Sequence, residues 1–159
     1  MAGTSLIDDA PPSRPQVTSA VTRGAARLLL DLGYAALPEV TLPNGRRADI
    51  MGLDRRGRIL IVEVKSGVED YRSDLKWSEY LAYCDQFAFA VSPEFPRHVL
   101  PESPGLIVAD AFGGAILREP AAEPLSGPRR KALTLAFARL GALRAISGGA
   151  ILSAPLEMA

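Results

Sequence analysis

Asp49, Glu63 and Lys65 are the residues of this chain whose types and spacing best suit chemistry. Glu63-Val64-Lys65 closes an apolar run, Ile59 to Val62, that has the length and composition of a buried β-strand. Residues two apart in a strand project to one face, so Glu63 and Lys65 point the same way. A lone buried charge is costly, so these groups must pair, bind a cation or stand at an open end of a sheet. Asp49 belongs to the preceding strand, and an antiparallel turn at about 54–57 sets it roughly opposite Glu63. Two carboxylates and an ammonium then share one small volume. Hard carboxylate oxygens a few ångströms apart suit Mg²⁺ or Mn²⁺, and such a cation offsets their mutual repulsion. It would lower the pKa of a bound water and clamp a phosphate oxygen. Lys65 would orient or deprotonate the attacking water, or neutralise charge in the transition state. That combination suits phosphodiester hydrolysis. The competing reading is a strand-end salt-bridge cluster that holds no metal.

Positioning these groups requires a particular order of elements. Val21, Ala25, Leu28, Leu29 and Leu32 recur with helical spacing, and Pro15 and Gly33 suit the ends of a helix over about 15–32. The period then becomes extended. Tyr34 to Leu42, Arg47 to Leu53 and Arg58 to Lys65 predict a three-stranded meander, with Pro43-Asn44-Gly45 and Asp54-Arg55-Arg56-Gly57 as its turns. A second helix is expected over about 69–83, with Trp77, Leu81 and Cys84 on its inner stripe. Gln86 to Ser92 predicts a buried strand, and Pro93 to Pro104 a loop with one helical turn. Short strands follow at Gly105 to Asp110 and Ala115 to Arg118, then a helix over about 128–146. Residues 1–14 are expected to form a loose arm, 15–146 a single domain, and 147–159 a trailing tail. A meander followed by a strand-helix-strand crossover gives an α/β fold with a mixed sheet flanked by helices.

Composition narrows the function. Of 159 residues, 48% are hydrophobic, enough for a core and too many for a disordered chain. Eighteen Lys and Arg balance eighteen Asp and Glu, so any contact with nucleic acid must come from a local patch. A single cysteine, Cys84, allows no intramolecular disulfide or cysteine zinc cluster, and a single histidine, His98, allows no His-rich metal site. The first residues lack the pattern of a signal peptide, and Arg139 and Arg144 interrupt the most apolar late stretch. A cytoplasmic protein without a membrane span is expected.

Asp49, thirteen intervening residues and Glu63-x-Lys65, set on a helix-meander-helix-strand frame, resemble the PD-(D/E)XK nuclease superfamily. Gly45-Arg-Arg-Ala-Asp-Ile50, Val62-Glu-Val-Lys-Ser66, Asp74-Leu-Lys-Trp77, Tyr80 and Cys84-Asp85 are more narrowly similar to the MmcB-type bacterial DNA repair proteins, over about residues 17–145. The resemblance implies a restriction-endonuclease-like three-layer core. It further implies a metal held by Asp49, Glu63 and the Val64 carbonyl, catalysis by Asp49, Glu63 and Lys65, and DNA as partner. The function expected from it is metal-dependent cleavage of DNA phosphodiesters in repair. The alternative is a catalytically silent nuclease fold that binds DNA or a repair partner. Ala48 departs from the superfamily's proline. Helix 1 carries no glutamate, which leaves Asp31 and Glu39 as the nearest further acids.

Other residues have two readings each. Asp70 and Asp74 lie four apart; ordinary first-turn helix acids account for Asp70 as well as a site role does, while for Asp74 the resemblance implies a place on the helix that faces substrate. Arg46, Arg47, Arg55, Arg56 and Arg58 cluster around the two meander turns. They are either ordinary turn surface or, with Lys76, the basic patch that a neutral DNA-binding protein needs. Trp77 fits a core position better than a base-stacking one.

Overall fold

The computed structural model describes residues 10–148 together with 155, 156 and 158. Helix α1, Arg14–Asp31, starts where Ser13 accepts the Gln16 N–H and Gln16 in turn accepts the Ser13 N–H, with Pro15 in the first turn. It ends where Gly33 adopts a φ of 89°, a left-handed conformation that suits glycine. The meander follows as β1, Ala35–Thr41; β2, Arg47–Leu53; and β3, Ile59–Lys65. Then come helix α2, Val68–Ser73, a 3₁₀ helix, Trp77–Tyr83, and strand β4, Gln86–Val91. A crossover with a single 3₁₀ turn, Arg97–Val99, leads to β5, Gly105–Ala109; β6, Gly114–Arg118, and helix α3, Gly127–Ile146, complete the order.

The six strands form one sheet in sequence order, antiparallel through β1, β2 and β3, parallel from β3 through β4 to β5, and antiparallel again at β6. The β3 strand is central, and all seven of its residues are buried. Its even-numbered side chains, Leu60, Val62 and Val64, pack under α1 with Val21, Ala25 and Leu29. Ile59 and Ile61 point the other way, into a core with Phe87, Phe89, Leu133 and Phe137. This is the mixed, helix-flanked, three-layer α/β frame that the sequence predicts. Gly24 lets α1 settle against the β5–β6 turn, since a Cβ there would stand 1.9 Å from the Asp110 carbonyl oxygen.

Two expectations fail for identifiable reasons. The single helix over 69–83 is two elements, because Asp74 leaves the helix with φ −137° and ψ 90° to bind Arg46 across the sheet end. Leu81, expected inside, is therefore exposed, as is Leu75, while Trp77 keeps its core place by stacking on Phe87. The tail does not simply trail either. Leu156 is buried in the larger core, and its N–H donates to the Thr41 carbonyl at 2.8 Å. Residues 1–9 of the expected arm lie outside the described residues. Among those described, no helix is long and apolar enough to cross a membrane.

The end of the sheet away from Lys65 is fastened by one buried acid. Asp85 accepts the N–H groups of Ile59 at 2.8 Å and Leu125 at 2.9 Å, and both its oxygens accept from the Arg130 guanidinium. It thereby ties β3, the segment before α3, and α3 itself. These donors hold its carboxyl below the ordinary aspartate range despite its burial. Asp85→Ala leaves two amides and a guanidinium without their acceptor, and should cost about 3–5 kcal/mol in urea unfolding at pH 7. A carboxyl with a depressed folded pKa stabilises above its unfolded value of about 3.9 and loses that effect as pH falls through the folded value. The gap between wild type and variant should accordingly close below about pH 4.

Candidate active site

The geometry of the site follows from an irregularity shared by two strands. Leu37 and Val40 of β1 face the same core, as do Ala48 and Met51 of β2, although alternation would put residues three apart on opposite faces. The register passes from Pro38↔Ile50 to Val40↔Ala48, so both strands turn over at the step shared by Glu39 and Asp49. Glu39 has a φ of 48°, the one non-glycine residue with positive φ among those described. Arg144 of α3, itself buried, holds this turn by donating to the carbonyls of Pro38 at 2.5 Å and Glu39 at 2.8 Å.

The β2–β3 ladder stops at Ile50↔Val62, one step short of Asp49 and Glu63. In place of the next rung, Asp49 Oδ2 accepts the Val64 N–H at 2.7 Å. The carboxylates of Asp49 and Glu63 are thus brought together at the open end of a central strand. Lys65 is only 3% exposed; its Nζ lies 3.4 Å from Glu63 Oε1 and 3.7 Å from Asp74 Oδ2. The other oxygen of Glu63, Oε2, is buried with no hydrogen-bond partner.

Electrostatics match this arrangement. Burial first, and then the neighbouring Asp49 charge, push the Glu63 carboxyl up to about 7. Asp49 is raised as well, by burial, with the Val64 amide and Lys65 opposing the shift. Tyr80 donates to the Arg47 carbonyl at 2.9 Å, and burial together with the Glu63 charge raises its phenol. Arg46 lies over the Tyr80 ring at 5.1 Å and binds Asp74 at 2.7 Å.

The carboxylates open on a cleft of about 950 Å³ between α1 and the ends of the strands. Glu39, Arg47, Val64, Lys65, Asp70 and Asp74 line it, so Glu39 and Asp74, the further acids expected near the site, share its cleft. Asp31 does not line it, lying at the far end of α1. Asp70 anchors the turn after β3, accepting from the Ser66 N–H at 2.9 Å and from its hydroxyl at 3.1 Å. Arg55 and Arg56 are not part of this constellation. Their turn closes the other end of the β2–β3 hairpin, and six steps of strand at about 3.3 Å each separate it from Arg47. Lys76 is exposed outside the cleft. Arg46 faces a second opening beside Tyr80 and is already committed to Asp74 and, at 3.7 Å, to Glu79. Among the described residues no three His, Cys, Asp or Glu side chains are placed to hold an ion by themselves, so protein ligation rests on the two carboxylates and any main-chain oxygen beside them.

The chain matches the family described as DNA repair protein MmcB-like over residues 8–149. It belongs to that family. Among solved structures it is similar to SPO1766, a protein of unknown function from Silicibacter pomeroyi, with 39% identity and a TM-score of 0.74, covering 86% of this chain and 97% of that one. A repair endonuclease from Pyrococcus abyssi matches more distantly, with 19% identity and a TM-score of 0.40 over 67% of this chain and 50% of that one. No curated protein matches.

In this MmcB-like chain, Tyr80 stood out in the sequence only as one of the residues that carry the family resemblance, with no role attached, and Arg144 did not stand out as a functional residue at all. Tyr80 fell within a helical pattern, and Arg144 read as an interruption of an apolar stretch. Only the fold brings them to Arg47, Pro38 and Glu39.

Two outcomes follow. A carboxyl whose folded pKa lies above its unfolded one binds more protons when folded, so its contribution to stability falls as pH rises from about 4.5 to 7. In chelator, Glu63→Gln should therefore unfold at higher urea than wild type at pH 8, with the advantage shrinking towards pH 5. Glu39→Gly should leave stability unchanged or raise it by about 1 kcal/mol, because it relieves a left-handed glutamate. An ordinary strand position would instead lose about 0.5–1 kcal/mol on the same change, which thermal unfolding distinguishes.

Proposed function

We propose that the chain is a cytoplasmic, metal-dependent DNA nuclease of DNA repair, hydrolysing phosphodiester bonds at Asp49, Glu63 and Lys65. The observation that carries this reading is the buried, partnerless Oε2 of Glu63 beside the Asp49 carboxylate. A buried acid with an unused oxygen is costly to leave so, and a divalent cation is the partner that suits two hard oxygens. Asp49 and Glu63 would hold Mg²⁺ or Mn²⁺, with the Val64 carbonyl as a third donor. So sparse a protein set agrees with the habit of Mg²⁺, which keeps waters and takes substrate phosphate oxygens. When bound, the ion supplies Lewis acidity to the phosphate and a more acidic water.

The chain's own residues do the rest. Lys65 places an ammonium beside the carboxylates, where it can orient a water or balance negative charge on the phosphate. Asp74 holds that ammonium from the other side and is itself held by Arg46. Arg47, largely exposed and lightly paired with Glu39 at 3.7 Å, is free to turn towards DNA. One observation favours the silent alternative. Lys65 already bridges Glu63 and Asp74, so the cluster is largely neutralised without metal.

Activity and metal binding separate the two. Calorimetric titration with Mn²⁺ should saturate on wild type and fail on Asp49→Ala. With Mg²⁺ or Mn²⁺, Lys65→Ala should cut DNA about 10²-fold more slowly or worse while binding it within a small factor of wild type. Wild type that binds DNA but neither takes up Mn²⁺ nor cuts would establish the silent reading.

A further inference from the structure

The cleft has two chemically different walls. Its strand side carries the acids: Asp49, Glu63, Glu39 and, past the β3 turn, Asp70 and Asp74. The α1 side carries none. It presents Arg14, Thr18, Ser19, Thr22 and Arg23. Arg14, Thr18 and Thr22 are four residues apart, one above another on the helix, at steps of about 6 Å given the 1.5 Å rise. Among the described residues, no hydrogen bond occupies the hydroxyls of Thr18, Ser19 or Thr22, and no ion pair occupies Arg23. Arg14 leans over the site, 3.5 Å from the Ser66 hydroxyl and 3.6 Å from Asp70, with its side chain 67% exposed. No aromatic side chain among the described residues lines the cleft, so it offers no platform on which a base could stack.

We propose that this face of α1 is a phosphate track, in which Arg14, Thr18, Thr22 and Arg23 hold the sugar–phosphate backbone of a DNA strand against the carboxylate site without reading its bases. The inference rests on the nuclease reading for what lies opposite the track. Hydroxyls and guanidinium groups are the donors that protein surfaces direct at phosphate oxygens, and such contacts position a strand without specifying its sequence. Separation of the walls is what makes it workable. The acidic floor would repel a phosphate backbone if it were spread through the cleft, but here the backbone can lie on the acid-free side and meet the floor only at the bond to be cut. The basic patch of a neutral protein is then on the first helix, and the Arg55–Arg56 turn is no part of it.

The test is anisotropy binding to labelled single- and double-stranded oligonucleotides of two unrelated sequences, in Mg²⁺ and in the Lys65→Ala background so that the probe survives. Arg14→Gln with Arg23→Gln should weaken binding at least tenfold and lower the slope of log affinity against log salt by about one unit for each phosphate that is no longer neutralised. Thr18→Val with Thr22→Val, which keeps shape and charge, should weaken it about fivefold with the slope unchanged. Arg55→Gln with Arg56→Gln should change neither. On otherwise wild-type protein, the threonine pair should raise KM with kcat held within about twofold. Circular dichroism confirms that each variant is folded. Wild-type affinity in the α1 variants, or a tenfold preference between the two sequences, would overturn the track while leaving the nuclease reading intact. Wild-type protein that neither binds nor cuts DNA at low salt overturns both.

Discussion

Charge buried at the end of a strand that is covered on both faces must be neutralised within the protein, and β3 ends in two such groups, Glu63 at 7% exposure and Lys65 at 3%. The surroundings supply an alternating chain of charge. Glu63 meets Lys65 at 3.4 Å, Lys65 meets Asp74 at 3.7 Å, Asp74 meets Arg46 at 2.7 Å, and Arg46 meets Glu79 at 3.7 Å. Each link explains a local feature that propensity does not. The helix after β3 breaks at Asp74 because the carboxylate is worth more beside Lys65 and Arg46 than the next helical turn would be. Arg46 lies on the Tyr80 ring rather than in solvent because its charge is needed between Asp74 and Glu79, towards the outer end of this chain.

A second device shapes the acid that lies outside the chain of pairs. Asp49 could not reach the Val64 amide from a regular ladder, since a regular rung would use backbone groups there. The turnover of β1 and β2 at Glu39 and Asp49 releases it. That turnover needs a left-handed glutamate, and an arginine from the last helix holds the carbonyls on either side of the Pro38–Glu39 step. Arg144 is unusually buried for a cation that makes no ion pair among the described residues, and burial lowers its pKa. The two carbonyls are what make that burial tolerable. The far C-terminal helix thus sets the backbone of the first strand, and through it the aim of the site.

Much of this was legible from residue types. The element order, the central buried strand, and the convergence of Asp49, Glu63 and Lys65 follow from period, turn residues and strand parity, because these depend on neighbours close in sequence. The break at Asp74 was not legible, since its cause is a partner 28 residues away. Nor was Arg144, whose partners are more than a hundred residues distant. The arginines of the two turns lie apart for a simpler reason. Arg46 and Arg47 sit close in sequence to Arg55 and Arg56, yet a hairpin carries its two turns to opposite ends of the sheet. The polar stripe of α1 was visible only as the side of a helix that was not apolar, and the structure was needed to show what it faces.

The two ends of β3 hold buried acids that differ in how fully their oxygens are bonded. At the Ile59 end, Asp85 accepts from two backbone amides and from both arms of Arg130, so no oxygen is idle and its carboxyl is held below the ordinary range. At the Lys65 end, Glu63 has one oxygen near an ammonium and the other with nothing, and its carboxyl is pushed up to about 7. Exposure is comparable, at 4% and 7%, so contact with solvent alone does not separate them. Satisfaction does. A fully bonded acid has no capacity left for a ligand, and removing it can only loosen the fold. An acid left half-bonded beside a second carboxylate costs stability that the fold could have recovered with one more donor, such as a backbone amide of the kind Asp49 takes from Val64. Retaining that cost at the mouth of a cleft, while sealing the equivalent acid at the other end of the same strand, is what the proposed cation site would require.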